Sequence, residues 1–151
     1  KNVMDIRLIE NGNGGDMVFD NGDIQLISEV YQQPYLAHFG GNKEMSTGDI
    51  VENEGYNNDW WGNFLLSEQP NCQLNSSFER ALAETPLSSS GRITLERIAS
   101  EDLEYLSGFA ESQSSVIITD VDKVKLIDNV AKENNVNFSY IWDSFKDEIL
   151  N

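Results

Sequence analysis

Val136-Asn137-Phe138-Ser139-Tyr140-Ile141-Trp142 reads as a β-strand. Val136, Phe138, Tyr140 and Trp142 fall on one face and Asn137, Ser139 and Ile141 on the other, the period-two signature of a strand with a large aromatic face to bury. Just upstream, Val121, Lys123, Lys125 and Ile127 alternate with Asp122, Val124, Leu126 and Asp128. Apolar side chains occur on both faces here, which predicts a strand covered in part on each side. Val116-Ile117-Ile118 is a β-branched run before it, and Glu133-Asn134-Asn135 reads as the turn between the two strands. The C-terminal third is therefore expected to form a hairpin whose aromatic face packs on helices.

The helices stand immediately before it. Ser76-Ser77-Phe78-Glu79 has the capping-box pattern, in which the serine hydroxyl takes an orphan N–H and the glutamate reaches back. Leu74, Phe78 and Leu82 repeat every four residues and share a face. Pro86 and Ser88-Ser89-Ser90-Gly91 read as a break. Leu95, Ala99, Leu103 and Leu106, with Ile98 beside them, form the stripe of a second helix, and Gly108 is a natural stop.

At the other end, residues 3–9 read as a short strand and Asn11-Gly12-Asn13-Gly14-Gly15 as a loop. Asp20-Asn21-Gly22-Asp23 lies between Met17-Val18-Phe19 and Ile24-Gln25-Leu26, a strong hairpin signal because both central turn residues must accept φ > 0. The same four residues lack the later ligands and distal glutamate of a calcium loop. Residues 28–40 fit either a strand or a short helix ending at Gly40-Gly41, with Pro34 arguing against an uninterrupted helix. Residues 42–59 are polar and without period, the composition of a long interaction loop. The expected architecture is one α+β domain over residues 1–151. An antiparallel sheet of N- and C-terminal strands would carry two central helices on one side.

Charge narrows the function. The chain of 151 residues carries 26 acidic and 10 basic side chains, net −16. That disfavours nucleic acid, which needs a positive stripe, and an anionic membrane for the same reason. No apolar run approaches the ~18 residues of a membrane span, and no signal peptide is visible. The single Cys72 cannot form an internal disulfide and reads as a partly buried thiol in a reducing compartment.

Catalytic arrangements are sparse. His38 is the only histidine; paired with Cys72 it could make a nucleophile only if the fold brought the two together, and the pair cannot supply a structural zinc site. No nucleophile elbow, phosphate loop or dinucleotide fingerprint occurs. Glu52, Glu54 and Asp59 lie near an adjacent tryptophan pair, and glycoside hydrolysis needs only two carboxylates about 5 to 9.5 Å apart, so a glycan hydrolase is the enzymatic alternative. An acidic decoy mimicking DNA would need its acids gathered on one face, whereas here they are scattered.

The tryptophan pair sits in Asp59-Trp60-Trp61-Gly62-Asn63. In extended chain, neighbouring rings point to opposite sides, so one can fill a core while the other meets a second layer or subunit. The order of an apolar hairpin around Asp-Asn-Gly-Asp, Phe39-Gly40-Gly41-Asn42, this tryptophan element and a helical segment with Ser90-Gly91-Arg92-Ile93 resembles the Mu-like phage baseplate protein family of the gene-46 type. The resemblance spans about residues 3 to 142, and the tryptophan-tryptophan-glycine element is its most specific part. Asn58-Asp59 departs from the basic residue and glycine that many members carry there, and the tail past Trp142 is this chain's own.

The resemblance implies a non-enzymatic wedge component of a contractile tail baseplate or related injection machine, similar in role to the gene-25 wedge proteins, some of whose relatives carry a lysozyme-like label. It implies wedge and hub subunits as partners, a homo-oligomer as a further possibility, and residence in the virion tail baseplate after assembly in the host cytoplasm. Trp60, Trp61, Gly62 and Asn63 are the expected partner-binding residues. No catalytic residue, cofactor or metal is expected.

Overall fold

In the computed structural model the chain is described over residues 4–10, 15–41, 61–69, 73–108, 110–131, 135–144 and 148–150. It is an α+β fold. Its largest sheet is a four-stranded antiparallel meander in the order β10-β9-β8-β7, from β7 (Glu111–Asp120), β8 (Lys123–Ala131), β9 (Asn135–Asp143) and β10 (Glu148–Leu150). Phe138, Tyr140 and Trp142 stand opposite Asp128, Leu126 and Val124 across the β8–β9 ladder, so the aromatic row and the buried row of β8 share one face. Val121-Asp122 form the β7–β8 turn rather than strand. That turn is made without positive φ, and a register shift leaves Thr119 out of the ladder, the irregularity a turn of the wrong twist needs.

Three helices, one more than expected, cover the aromatic face: α1 (Glu29–Phe39), α2 (Ser77–Glu84) and α3 (Ser89–Asp102). Phe78, Ala81 and Leu82 of α2 and Leu95 and Ala99 of α3 meet Val116, Val124, Leu126 and Trp142 of the sheet in one core. Phe39 packs against the same core, and Ala37 joins Leu103 and Leu106. Helix α1 runs through Pro34, which removes a single donor, and packing of the following turn outweighs that loss. It ends where expected: Gly41 takes φ 98°, and a Cβ on Gly40 would stand 2.2 Å from the Leu36 carbonyl oxygen. The break expected at Pro86 and the serine run falls at residues 85–88, but Ser89-Ser90-Gly91 already belong to α3, and Ser88 is its N-cap, accepting from the Gly91 N–H at 3.1 Å.

The N-terminal strands do not join the large sheet. Six short segments, β1 (Met4–Ile6), β2 (Leu8–Glu10), β3 (Gly15–Met17), β4 (Phe19–Asp20), β5 (Asp23–Ile24) and β6 (Leu26–Ser28), pair as β1–β6, β2–β3 and β4–β5. The arms meet at Arg7, Val18 and Gln25, whose backbones close a ring. Arg7 N donates to Gln25 O (2.9 Å), Gln25 N to Val18 O (2.8 Å) and Val18 N to Arg7 O (3.1 Å). Each strand thus changes partner at one residue without losing a bond, and the ladders are satisfied among themselves. The expected turn is present, with Asn21 at φ 50° and Gly22 at φ 85°, as a type I′ hairpin demands.

Helix α2 begins at the Ser76 cap. Ser76 Oγ accepts from Glu79 N at 3.1 Å, but the Glu79 carboxylate does not reach back; it accepts from Gly41 N at 3.1 Å, while Ser76 N donates to Gly41 O at 2.8 Å. The reciprocal half of the capping box is thus given over to holding the end of α1. Ser76→Ala is expected to destabilise the fold by about 1–2 kcal/mol, at the upper end of the N-cap range because the same hydroxyl also donates to the His38 carbonyl. Urea denaturation checks this, and a loss of a few tenths of a kcal/mol contradicts it.

Candidate functional site

The polar centre of the molecule lies under α1. His38 has no exposed surface. Its Nε2 stands 3.0 Å from Asp128 Oδ2 and its Nδ1 3.8 Å from Asp102 Oδ2. Asp128, also fully buried, occupies the apolar row of β8 between Leu126 and Val130, and Ser114 Oγ, opposite it on β7, donates to Asp128 Oδ1 at 2.7 Å. Asp102 is the last residue of α3, and its carboxylate accepts from Phe78 N (2.8 Å) and Ser77 N (3.3 Å), the free amides of the first turn of α2. One imidazole therefore lies between a sheet carboxylate and a helix-capping carboxylate.

Burial pushes the His38 pKa down; the Asp102 and Asp128 carboxylates more than offset this and hold it above 6.5. Asp128 is the nearer partner and lies wholly in the interior, so the attraction is strongest there. The ring nitrogens and Asp128 Oδ2 make no aligned hydrogen bond, so the contact is an ion contact, stronger for being in a low-dielectric interior. Nearby phenols are kept neutral. Burial raises Tyr140, with Asp128 adding to the effect, and lifts Tyr105 to about 12, with Asp102 adding.

Chemically, this cluster can hold a proton and little else. The two neighbouring serine hydroxyls are committed, Ser114 to Asp128 and Ser76 to the His38 carbonyl. Among the described residues, no group of three or more histidine, cysteine or acidic side chains is placed to hold a metal ion. Cys72, Glu52, Glu54, Asp59 and Trp60 lie outside the described residues, so the expected pairings that involve them have no geometry here.

Two of the expected partner-binding residues, Trp61 and Gly62, open the 3-10 helix Trp61–Leu66. Asn63 in that helix is buried: its Oδ1 accepts from Leu74 N (2.8 Å) and its Nδ2 donates to Leu74 O (2.7 Å), so the side chain pins this segment to the lead-in of α2. The next two residues face outward, Phe64 at 82% and Leu65 at 74% exposure. An open groove of ≈ 830 Å³ between α3 and the start of β7 gathers Glu96, Glu101, Glu104 and Glu111. Glu96 is paired with Arg92 and also accepts from Val116 N, and Glu101 is paired with Arg97.

Sequence reading named His38 but not its partners. The signal was there in part: Asp128 shares parity with Val124 and Leu126, and a carboxylate in a buried row calls for a cation or donor. Which cation answers it is a matter of tertiary packing, since 90 residues separate the two.

Because the folded pKa of His38 is raised, its stabilising contribution is complete below about pH 6.5 and is lost as pH rises through the folded value. The melting temperature is expected to fall across that interval, below the range in which Tyr105 or Tyr140 ionises. His38→Gln is expected to cost about 3–5 kcal/mol, because it leaves Asp128 buried without its cation, and to flatten that part of the profile. Thermal melts of both proteins from about pH 6 to pH 9 check this; parallel profiles would contradict it.

No family model, curated protein or solved structure matches this chain.

Proposed function

We propose that this protein is a non-enzymatic assembly subunit, and that its setting is the wedge of a contractile tail baseplate. The observation that carries the first part is the division of the molecule. Its acid-flanked histidine is sealed in the interior, while several of its largest apolar side chains, Phe64, Leu65 and Phe19 among them, stand in solvent. Exposed aromatic and aliphatic groups of this size cost solubility unless a partner covers them, and such anchors concentrate the energy of an interface. The second part is supported by the order of sequence elements that resembles the baseplate family, above all Trp60-Trp61-Gly62-Asn63. The burial of Asn63 fits a role in fixing that element, with Phe64 and Leu65 offered beside it.

The alternative, hydrolysis of cell-wall glycan, finds a carboxylate-lined groove between α3 and β7, but two of its acids, Glu96 and Glu101, are bound to arginines on a solvated helix face. A general acid needs an apolar pocket that favours its protonated form.

Co-expression with the proteins encoded by its flanking genes is expected to give a stable complex by size-exclusion chromatography with light scattering. Phe64→Ser with Leu65→Ser is expected to weaken that complex by at least ~10-fold while leaving the melting temperature unchanged. Purified protein that clears a cell-wall suspension, and loses this activity with Glu96→Gln or Glu111→Gln, would overturn the proposal in favour of the hydrolase.

A further inference from the structure

Helix α1 and the N-terminal arms form one body. Strand β6 (Leu26–Ser28) runs into α1 (Glu29–Phe39) without a linker, and both β1 and β6 pack on the helix. The buried Gln32 side chain accepts from Leu8 N at 3.1 Å and so ties β2 to it as well. The rest of the molecule has a core of its own. The nine buried residues of the main cluster all belong to α2, α3, β7, β8 and β9, and α1 adds Phe39 at the margin. Beyond that, α1 brings Ala37 against Leu103 and Leu106, and Tyr35 beside Tyr140. Apolar burial therefore holds α1 down far less firmly than it holds α2 and α3 to the sheet.

The polar ties of α1 differ in kind. Gly41, just past its end, is bonded to Ser76 and Glu79, which fixes the chain there as a pivot. Gln33 Oε1 accepts from the Tyr105 hydroxyl at 2.6 Å on the surface, where water can replace it. His38 is the tie in the middle. Its ring nitrogens make no aligned hydrogen bond, so charge holds it to Asp128 at 3.0 Å and to Asp102 at 3.8 Å. Without its proton the ring leaves two carboxylates in the interior. Asp102 keeps the amides of Ser77 and Phe78, whereas Asp128 keeps the Ser114 hydroxyl, too little for a desolvated charge unless water reaches it. The other groups around the ring do not replace the lost charge. Tyr140 of β9 and Tyr105 of the 3-10 helix Glu104–Gly108 stay neutral throughout, Tyr35 of α1 faces Tyr140, and α2 presents the Phe78 ring at 5.2 Å while its Glu79 is bound to Gly41.

We propose that the proton on His38 is a latch: while it is present α1 lies on the sheet, and when it is lost α1 and the N-terminal arms swing away together, leaving the core of α2, α3 and β7–β9 folded. The motion turns about Gly41, admits water to Asp128 and uncovers the Tyr140 side of the aromatic row. Its direction with pH follows from the sign of the contact. Protonation favours the closed form, so opening grows as pH rises through the titration of the buried imidazole. This device is independent of what the protein assembles with.

The test is amide hydrogen exchange on the full chain between about pH 6 and pH 9, corrected for the faster chemical exchange at high pH. Amides of α1 and β6 are expected to lose about 30-fold or more of their protection across that range, in step with one another. Amides of α3 and β8, which report on loss of the whole fold, are expected to stay at least ~10-fold better protected than those of α1 at both ends. Asp128→Asn removes the nearer charge and keeps an acceptor for Ser114; in this variant the pH-linked loss in α1 is expected to shrink to roughly a few-fold, carried by Asp102. Protection in α1 equal to that in α3 and β8 would overturn the proposal, because the helix would then leave only when the whole domain unfolds. So would protection in α1 that does not change with pH. A full ~30-fold loss in Asp128→Asn would overturn it too, by showing that the contact with Asp128 is not what the proton secures. The wild-type series decides between release of α1 and global unfolding even if the variant does not fold.

Discussion

A carboxylate in the middle of a sheet's buried face has to be answered, and the contact between Asp128 and His38 is the answer on which the rest of this structure depends. Without a cation, Asp128 would be a desolvated charge between Leu126 and Val130, at a cost of several kcal/mol. With one, it becomes the anchor that draws α1 over the aromatic row of β9, where Phe39 and Tyr35 lie 5.5 and 6.2 Å from Tyr140 between ring centres. The same imidazole faces Asp102, and Asp102 holds the first turn of α2. Sheet and helices are thereby tied through one side chain, and the apolar core fills in around it. A hydrophobic pair of similar volume could serve stability as well. What the ionic arrangement adds is a polar link from α1 to both the sheet and α3, through Asp128 at 3.0 Å and Asp102 at 3.8 Å.

The parts of this architecture that sequence foretold are those decided locally. The alternation from Val136 to Trp142, the Asn21-Gly22 turn and the Ser76 cap each depend on a few adjacent residues and on backbone geometry that only certain side chains favour. Helix α1 was not decided by its sequence, because Pro34 weakens the local case and the burial of Ala37 and His38 restores it from a distance. Ser88-Ser89-Ser90-Gly91 was open to two readings for a related reason: serine favours both a loop and the first residue of a helix, and the periodicity of α3 becomes visible only further along. The separation of the N-terminal arms from the main sheet could not be read at all. Six two- and three-residue segments have the same alternation whether they add to a larger sheet or close upon one another. Nor could the role of Asn63 be read, because a buried asparagine clasping the backbone of Leu74 and an exposed one offered to a partner look alike in sequence.

The interior and the surface of the molecule are specialised in opposite ways. Inside, the imidazole is set between two carboxylates and has no opening to solvent. Outside, aromatic and aliphatic groups are displayed on short, well-braced supports: a 3-10 turn fastened through Asn63 and a β unit fastened through its own backbone. Support of that kind lowers the entropic cost of association, since little has to be ordered when a partner arrives.

The ring formed by Arg7, Val18 and Gln25 imposes a discipline of its own on β1–β6. Each of these backbones both gives and receives, so shifting one strand by a single residue would break two of the three links and turn that arm's side chains over. Evolution can therefore lengthen the tips of the arms freely, but it can insert nothing near their meeting point without discarding the whole unit. Three arms that look separable on paper should form, and be lost, as one.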